Sequence, residues 1–276
     1  MIVASAFGAL AGAMIAFPRE AAEAALAGLR LWAGSVVPVL GPFIACMLML
    51  TSRVGGGIWL KTGWSWLCGS PGGARLMQDA GLKGSDALRS AAMTGTMSPM
   101  FFLGTVSAWL GCAAAARLIL ACHIFSAFLI GACFPKRMEG KPPPPSPLPL
   151  GAAVRESALA LLTVGVCMML GCIAARMAGC AFPRLPSWAA AGMQCALEVT
   201  AGVRALIALN TPYTAPLICA ACSFGGLSIL LQNAVFWQES GVTALQLLGL
   251  RLAHSVLSGC LCQIARRALF SLGIGI

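Results

Sequence analysis

Apolar stretches recur along this 276-residue chain at about the 17 to 25 residues a helix needs to cross roughly 30 Å of hydrocarbon. No other feature restricts the fold as tightly. Eight crossings are expected: Ile2 to Phe17, Val36 to Leu50, Met100 to Ala116, Leu118 to Phe134, Ser157 to Ile173, Trp188 to Leu209, Ala215 to Phe236 and Thr243 to Ile264. With 59% hydrophobic and 9% charged residues, and a mean hydropathy of +0.88, the chain carries more apolar surface than a soluble domain of its size can bury. A cytosolic enzyme is therefore not expected, and an all-α integral membrane protein is expected because lipid offers no partners for unpaired backbone groups. Ile2 to Phe17 lacks a basic leader and is read as an uncleaved first helix, although Ala4-Ser5-Ala6 leaves cleavage open. Arg19 to Trp32 is read as an Ala-rich interfacial helix with Glu20, Glu23 and Arg30 on its wet side.

A proline run divides the chain. Pro135-Lys136-Arg137 through Lys141, followed by Pro142 to Pro145, Pro147 and Pro149, cannot be helical and reads as a solvated spacer. Three regions follow: a membrane half over residues 1–134, a linker over 135–156 and a second membrane half over 157–276. With the linker in the cytoplasm, alternation of eight spans puts eleven basic residues inside (Arg53, Lys61, Arg75, Lys83, Arg89, Lys136, Arg137, Lys141, Arg155, Arg266 and Arg267). Five fall outside (Arg19, Arg30, Arg117, Arg176 and Arg184), so both termini are expected in the cytoplasm. The net charge of +10 fits cationic loops at an anionic leaflet, whereas no basic run with interleaved aromatics points to nucleic acid. The thirteen cysteines lie mostly singly in apolar runs; Cys219 and Cys222, and Cys260 and Cys262, lack further ligands nearby, so neither metal nor cofactor is expected.

Several apolar segments are interrupted. Between Thr51 and Pro99 lie Gly55-Gly56-Gly57, tryptophans at 59, 64 and 66, and Gly69-Ser70-Pro71-Gly72-Gly73-Ala74-Arg75. That stretch is too apolar for a wet loop and too rich in Gly and Pro for one helix, so a re-entrant hairpin is expected, with a Trp-anchored interfacial loop as the alternative. Pro99 ends the preceding helix after Thr94-Gly95-Thr96-Met97-Ser98 and leaves free amides that attract anions. The second half echoes this: Glu198 to Arg204 interrupts one segment, Asn210-Thr211-Pro212 breaks it, and Ser223-Phe224-Gly225-Gly226-Leu227-Ser228 interrupts the next. Matched breaks in two halves point to a substrate site where repeats meet.

Charges inside spans face a partner or a cavity. The candidates are Glu198, Arg204, Arg251 and His254. Two readings stand side by side: a structural Glu198 to Arg251 ion pair, or a cationic cavity in which Arg204 and Arg251, with the hydroxyls of Thr200, Ser223 and Ser228, hold a small anion.

Taken in order, four motifs resemble the YlbJ (SpoVV) sporulation integral membrane proteins, which carry two nucleoside-recognition (Gate) domains. They are Gly69-Ser70-Pro71-Gly72-Gly73-Ala74-Arg75-Leu76, Ser98-Pro99-Met100-Phe101-Phe102-Leu103-Gly104-Thr105-Val106, Leu197-Glu198-Val199-Thr200-Ala201-Gly202 and Phe224-Gly225-Gly226-Leu227-Ser228, within a resemblance from about Leu29 to about Cys262. The resemblance implies two pseudo-repeated halves with re-entrant or broken helices, a fold like that of concentrative nucleoside transporters, and a place in the cell membrane, specifically the outer membrane around the forespore. It also implies transport of dipicolinic acid toward the spore. The site so expected comprises Ser70, Gly72, Gly73, Ser98, Glu198, Thr200, Arg204, Ser223, Gly225, Gly226, Ser228 and Arg251. Its partners are a small anionic solute and the bilayer, and homo-oligomerisation is left open. Alternatives are a nucleoside or neutral-solute carrier and a non-transporting assembly protein of a sporulation membrane complex. An enzyme is not expected, since no nucleophile set or paired carboxylates share a pocket. Met97 departs from the small or polar residue expected there, and no aspartate at a break suggests a sodium site; proton coupling through Glu198, or none, stays open.

Overall fold

A computed structural model describes residues 2–54, 57–78, 80–135 and 147–274, and among these every regular element is helical. Gly55 and Gly56 and the linker residues 136–146, with their basic and proline run, lie outside the described residues. The first half runs through α1 (Ile2–Ala16), α2 (Pro18–Leu31), a π-helical turn (Trp32–Val36), α3 (Val37–Val54), α4 (Ile58–Cys68), α5 (Gly72–Gln78) and α6 (Gly84–Thr94). It then passes a π segment (Phe101–Val106) into α7 (Ser107–Leu110) and α8 (Ala113–Ala132). The second half holds α9 (Leu150–Ala181), α10 (Ser187–Leu197), α11 (Val199–Ala208), α12 (Thr214–Phe224), α13 (Gly226–Trp237) and α14 (Ala244–Ser271).

Among the described residues four stretches are long and apolar enough to cross a membrane: Ala113–Ala132, Leu150–Ala181, Thr214–Ser240 and Ala244–Ser271. A fifth is added if Pro18–Val36 and Leu40–Arg53, bent by 55° to one another, count as one. The expected eight spans are thus not found as eight long helices. Met100 to Ala116 is interrupted at Gly111, whose φ of +63° ends α7, and Trp188 to Leu209 is cut at Glu198, whose extended backbone (φ −141°, ψ 109°) starts a new helix. The Ala21, Ala24 and Gly28 face of α2 is buried, and Gly28 sits against Met169 and Cys172 of α9. This helix therefore packs on a neighbour along its small-residue side rather than lying alone at an interface.

The long helices have clear ends. Thr243 caps α14 reciprocally: its hydroxyl accepts from the Gln246 amide at 3.2 Å while Gln246 Oε1 accepts from the Thr243 amide at 2.9 Å. Pro149, extended and outside the first turn, precedes the 32 residues of α9. Large apolar side chains face outward along these helices, among them Val256 at 68% and Ile264 at 64% exposed on α14, and Leu159, Leu162 and Val166 on α9. Such a surface matches hydrocarbon rather than water.

The short helices form hairpins. In the first, α4 and α5 fold back so that Ser65 Oγ donates to Gly73 O at 3.2 Å, with Gly69, Ser70 and Pro71 at the tip. In the second, α10 and α11 lie against each other around Glu198, and a Cβ on Gly202 would meet the Cys195 backbone at 2.5 Å. At about 10 to 16 Å these helices are too short to cross hydrocarbon. Each hairpin has its own apolar seat. Ala74 and Met77 of α5 pack with Ala91, Trp237 and Leu247, and Val199 and Val203 of α11 pack with Phe102, Ile119 and Ile218. The 57–99 region therefore folds as a packed hairpin followed by a helix that breaks at 95–98.

Candidate functional site

Both hairpin tips reach a helix break. At the first tip the Ser70 amide donates to Thr96 O at 2.7 Å, within the non-helical 95–98 stretch after α6, and Asn233 Nδ2 of α13 donates to Ser70 Oγ at 3.2 Å. The approach is close enough that any side chain at Gly69 (φ +67°) would collide with the backbone of Ser98. At the second tip Glu198 caps α11, its two carboxylate oxygens accepting from the amides of Thr200 at 3.1 Å and Ala201 at 2.7 Å. Gly225 and Gly226, with φ of +82° and +70°, break α12 from α13, and a Cβ on Gly226 would lie 2.8 Å from Cys195 O.

A cavity of about 50 Å³ lies between these four points. Five of the twelve expected residues line it: Ser70, Ser98, Glu198, Thr200 and Ser228. Gln232 joins them, with Met97, Phe101 and Ile229 among the apolar walls. Three buried polar atoms at the breaks, Thr96 Oγ1, Ser228 Oγ and Asn233 Oδ1, have no hydrogen-bond partner among the described residues. Each such group costs on the order of 1 to 3 kcal/mol when it stays unpaired.

The remaining expected residues lie elsewhere. Gly225 and Gly226 shape the second break, and Gly73 packs inside the first hairpin against Ser65. Gly72 faces a separate cavity of about 200 Å³ beside Arg75 and Glu156, which approach to 3.6 Å. Ser223 is bonded to His123. Arg204 is exposed and lines a third, open pocket.

Arg251 is buried, but its guanidinium donates to the carbonyl oxygens of Ala91, at 2.8 Å, and Gly95, where α6 ends. A cation at the C-terminal end of a helix satisfies carbonyls that have lost their intrahelical donors. Both sequence readings of the charges are thereby corrected. Glu198 and Arg251 bond to backbone groups rather than to each other, and among the described residues no Lys or Arg lines the cavity between the tips, in place of the cationic cavity expected.

Two histidines carry the buried scaffold under the cavity. The Met97 amide donates to His123 Nε2 at 2.9 Å. Since a backbone N–H can only donate, Nε2 bears the lone pair and Nδ1–H donates to Ser223 Oγ at 2.7 Å. His254 stacks on His123 with centroids 4.7 Å apart, and its Nε2 lies 2.8 Å from His123 O. Its Nδ1 faces Arg251 at 3.5 Å. One side chain on α8 thus ties the 95–98 break to the last turn of α12. Sequence reading passed over His123, Gln232 and Asn233. The adjacent Gln232 and Asn233 inside the apolar run Leu230 to Phe236 were a usable signal, whereas a lone histidine in a span was not.

No family model, curated protein or solved structure matches this chain.

Proposed function

We propose that this protein is a membrane carrier for a small polar organic solute, held where two hairpin tips meet two broken helices. The observation that carries the reading is the cavity of Ser70, Ser98, Glu198, Thr200 and Ser228, in which the buried Ser228 hydroxyl has no hydrogen-bond partner among the described residues. An unpaired buried polar group is retained at a cost, and a bound polar solute would supply its partner. The order hairpin, broken helix, long helix occurs in each half (α4–α5, α6–α7, α8, then α10–α11, α12–α13, α14). We read this as a pseudo-repeat of the kind the resemblance to nucleoside-recognition domains implies, with the hairpins re-entrant. About 50 Å³ admits a few waters, so solute binding requires a hairpin to move outward.

The chemistry of the cavity favours a neutral solute rich in hydroxyl or amide groups, the class to which nucleosides belong. Among the described residues its one ionisable side chain is the Glu198 carboxyl, and its other polar groups are hydroxyls and an amide. Dipicolinate is the second reading. Its support is the motif resemblance to sporulation membrane proteins and the placement of Arg204 in an adjoining pocket, which would put the protein in the membrane around the forespore.

Uptake of uridine and of dipicolinate by proteoliposomes containing the full chain separates these readings. Saturable uridine uptake that excess dipicolinate leaves unchanged supports the neutral-solute carrier. Dipicolinate uptake without uridine uptake selects the second reading. Flux of neither, together with partners that co-purify stably, turns the assignment to an assembly protein.

A further inference from the structure

An open pocket of about 730 Å³ lies on the flank of the second hairpin, bounded by α2, α9, α10 and α11. Arg30 and Arg204 line it, 174 positions apart in sequence, with Gln194 and Ser35 beside them. Among the described residues no carboxylate lines the pocket. Neither arginine has a carboxylate one helical turn away: Leu26 and Ala27 precede Arg30, and Thr200, Ala201, Ile207 and Ala208 surround Arg204. Two acidic groups on these helices are engaged elsewhere, Glu23 with Arg19 at 3.2 Å and Glu198 with two amides of its own helix. Among the described residues neither guanidinium has a hydrogen-bond or ion-pair partner. Arg204 instead lies over the Trp109 ring at 5.6 Å, a contact that orients the guanidinium face and leaves its N–H edges available.

We propose that Arg30 and Arg204 form a binding site for an anionic group, a carboxylate or a phosphate, with Gln194 and Ser35 as neutral hydrogen-bonding partners. Two like charges in one pocket of an apolar protein repel, and an anion bridging them relieves that repulsion while accepting from both forks. The ligand chemistry is shared by a small organic anion and an anionic lipid headgroup. The site does not depend on the carrier reading, since it lies outside the cavity of Ser70 and Ser228 and its occupancy is measured at equilibrium, without flux.

The test titrates the purified full chain, in neutral detergent, with phthalate as an aromatic dicarboxylate and with inorganic phosphate. In parallel, native mass spectrometry counts phosphatidylglycerol retained from mixed phosphatidylcholine nanodiscs. Arg30→Gln and Arg204→Gln are each expected to weaken anion binding by about tenfold, and the double variant to abolish it, with binding in the wild type falling as salt is raised. If the source is lipid, the wild type keeps phosphatidylglycerol through purification and the double variant loses it. Both side chains are exposed, so the variants are expected to melt with the wild type. The proposal is overturned if the double variant binds phthalate, phosphate and phosphatidylglycerol as the wild type does, or if the wild type binds none of them. Loss of solute flux with anion binding intact sinks the carrier reading alone.

Discussion

His123 Nδ1 lies 2.7 Å from Ser223 Oγ, joining residues one hundred positions apart in the two halves of the chain. The same ring accepts the Met97 amide at Nε2, so one imidazole fixes the end of α12 relative to the break after α6. Met97 and Ser98 of that break line the cavity between the tips. Replacing His123 by Ala removes both bonds and leaves space under Phe102 and His254, whose ring centroids lie 5.0 and 4.7 Å away. Unfolding of the purified protein is expected to become easier by about 3 to 5 kcal/mol. Ser223→Ala leaves only Nδ1–H unpaired and should cost about 1 to 3 kcal/mol. A double-variant cycle that returns no coupling would show that the bond contributes nothing.

Arg251 tests the difference between a charge that meets a solute and one that holds a helix end. It donates to the carbonyls of Ala91 and Gly95, and a side chain at Gly95 would run into its guanidinium. Arg251→Gln is expected to lower stability by about 2 to 4 kcal/mol through lost charged hydrogen bonds. Solute affinity of the folded fraction should stay unchanged. A drop in affinity at unaltered melting temperature would return Arg251 to the binding site.

The breaks themselves were the legible part of the sequence. Pro99 after Ser98, Pro71 after Ser70 and the Gly225-Gly226 pair mark positions where helix cannot continue, and each lies at a break or a tip. The span count was not legible. A window over Trp188 to Leu209 sums to one apolar crossing because a single cap residue hardly moves a hydropathy average, yet Glu198 accepts two amides and starts a new helix there. Partners of the buried charges were hidden for a different reason. Arg251 is satisfied by backbone oxygens, which every residue possesses, so no pattern of side chains announces the contact. The His123 to Ser223 bond joins two helices whose adjacency is a property of the tertiary fold, and nothing local to either residue records it.

Gly226 is required by two independent facts, a φ of +70° and the approach of Cys195 O to where its Cβ would stand, at 2.8 Å. Gly226→Ala is expected to cost at least about 2 kcal/mol and to displace the second hairpin tip. Gly192, inside α10 with nothing within 4 Å of its would-be Cβ, is the control. There the same change should stabilise by about 0.5 to 1 kcal/mol, through helix propensity alone. Equal effects at the two positions, read by thermal melting, would remove the argument that the second break is held by close backbone contact.

Ser228 separates a site from a scaffold most directly. Its side chain is buried, lines the cavity between the tips, and its hydroxyl has no partner among the described residues. A scaffold gains nothing from such a group, because its desolvation is not offset by a bond. Ser228→Ala is therefore expected to leave stability unchanged or raise it by up to about 1 kcal/mol, while weakening solute binding by about fivefold or more. The opposite signs of the two effects distinguish this from ordinary packing damage, in which melting temperature and affinity fall together. If Ser228→Ala melts earlier and binds the solute as tightly as the wild type, the hydroxyl serves the fold, and the cavity between the hairpin tips loses its claim to be the chamber.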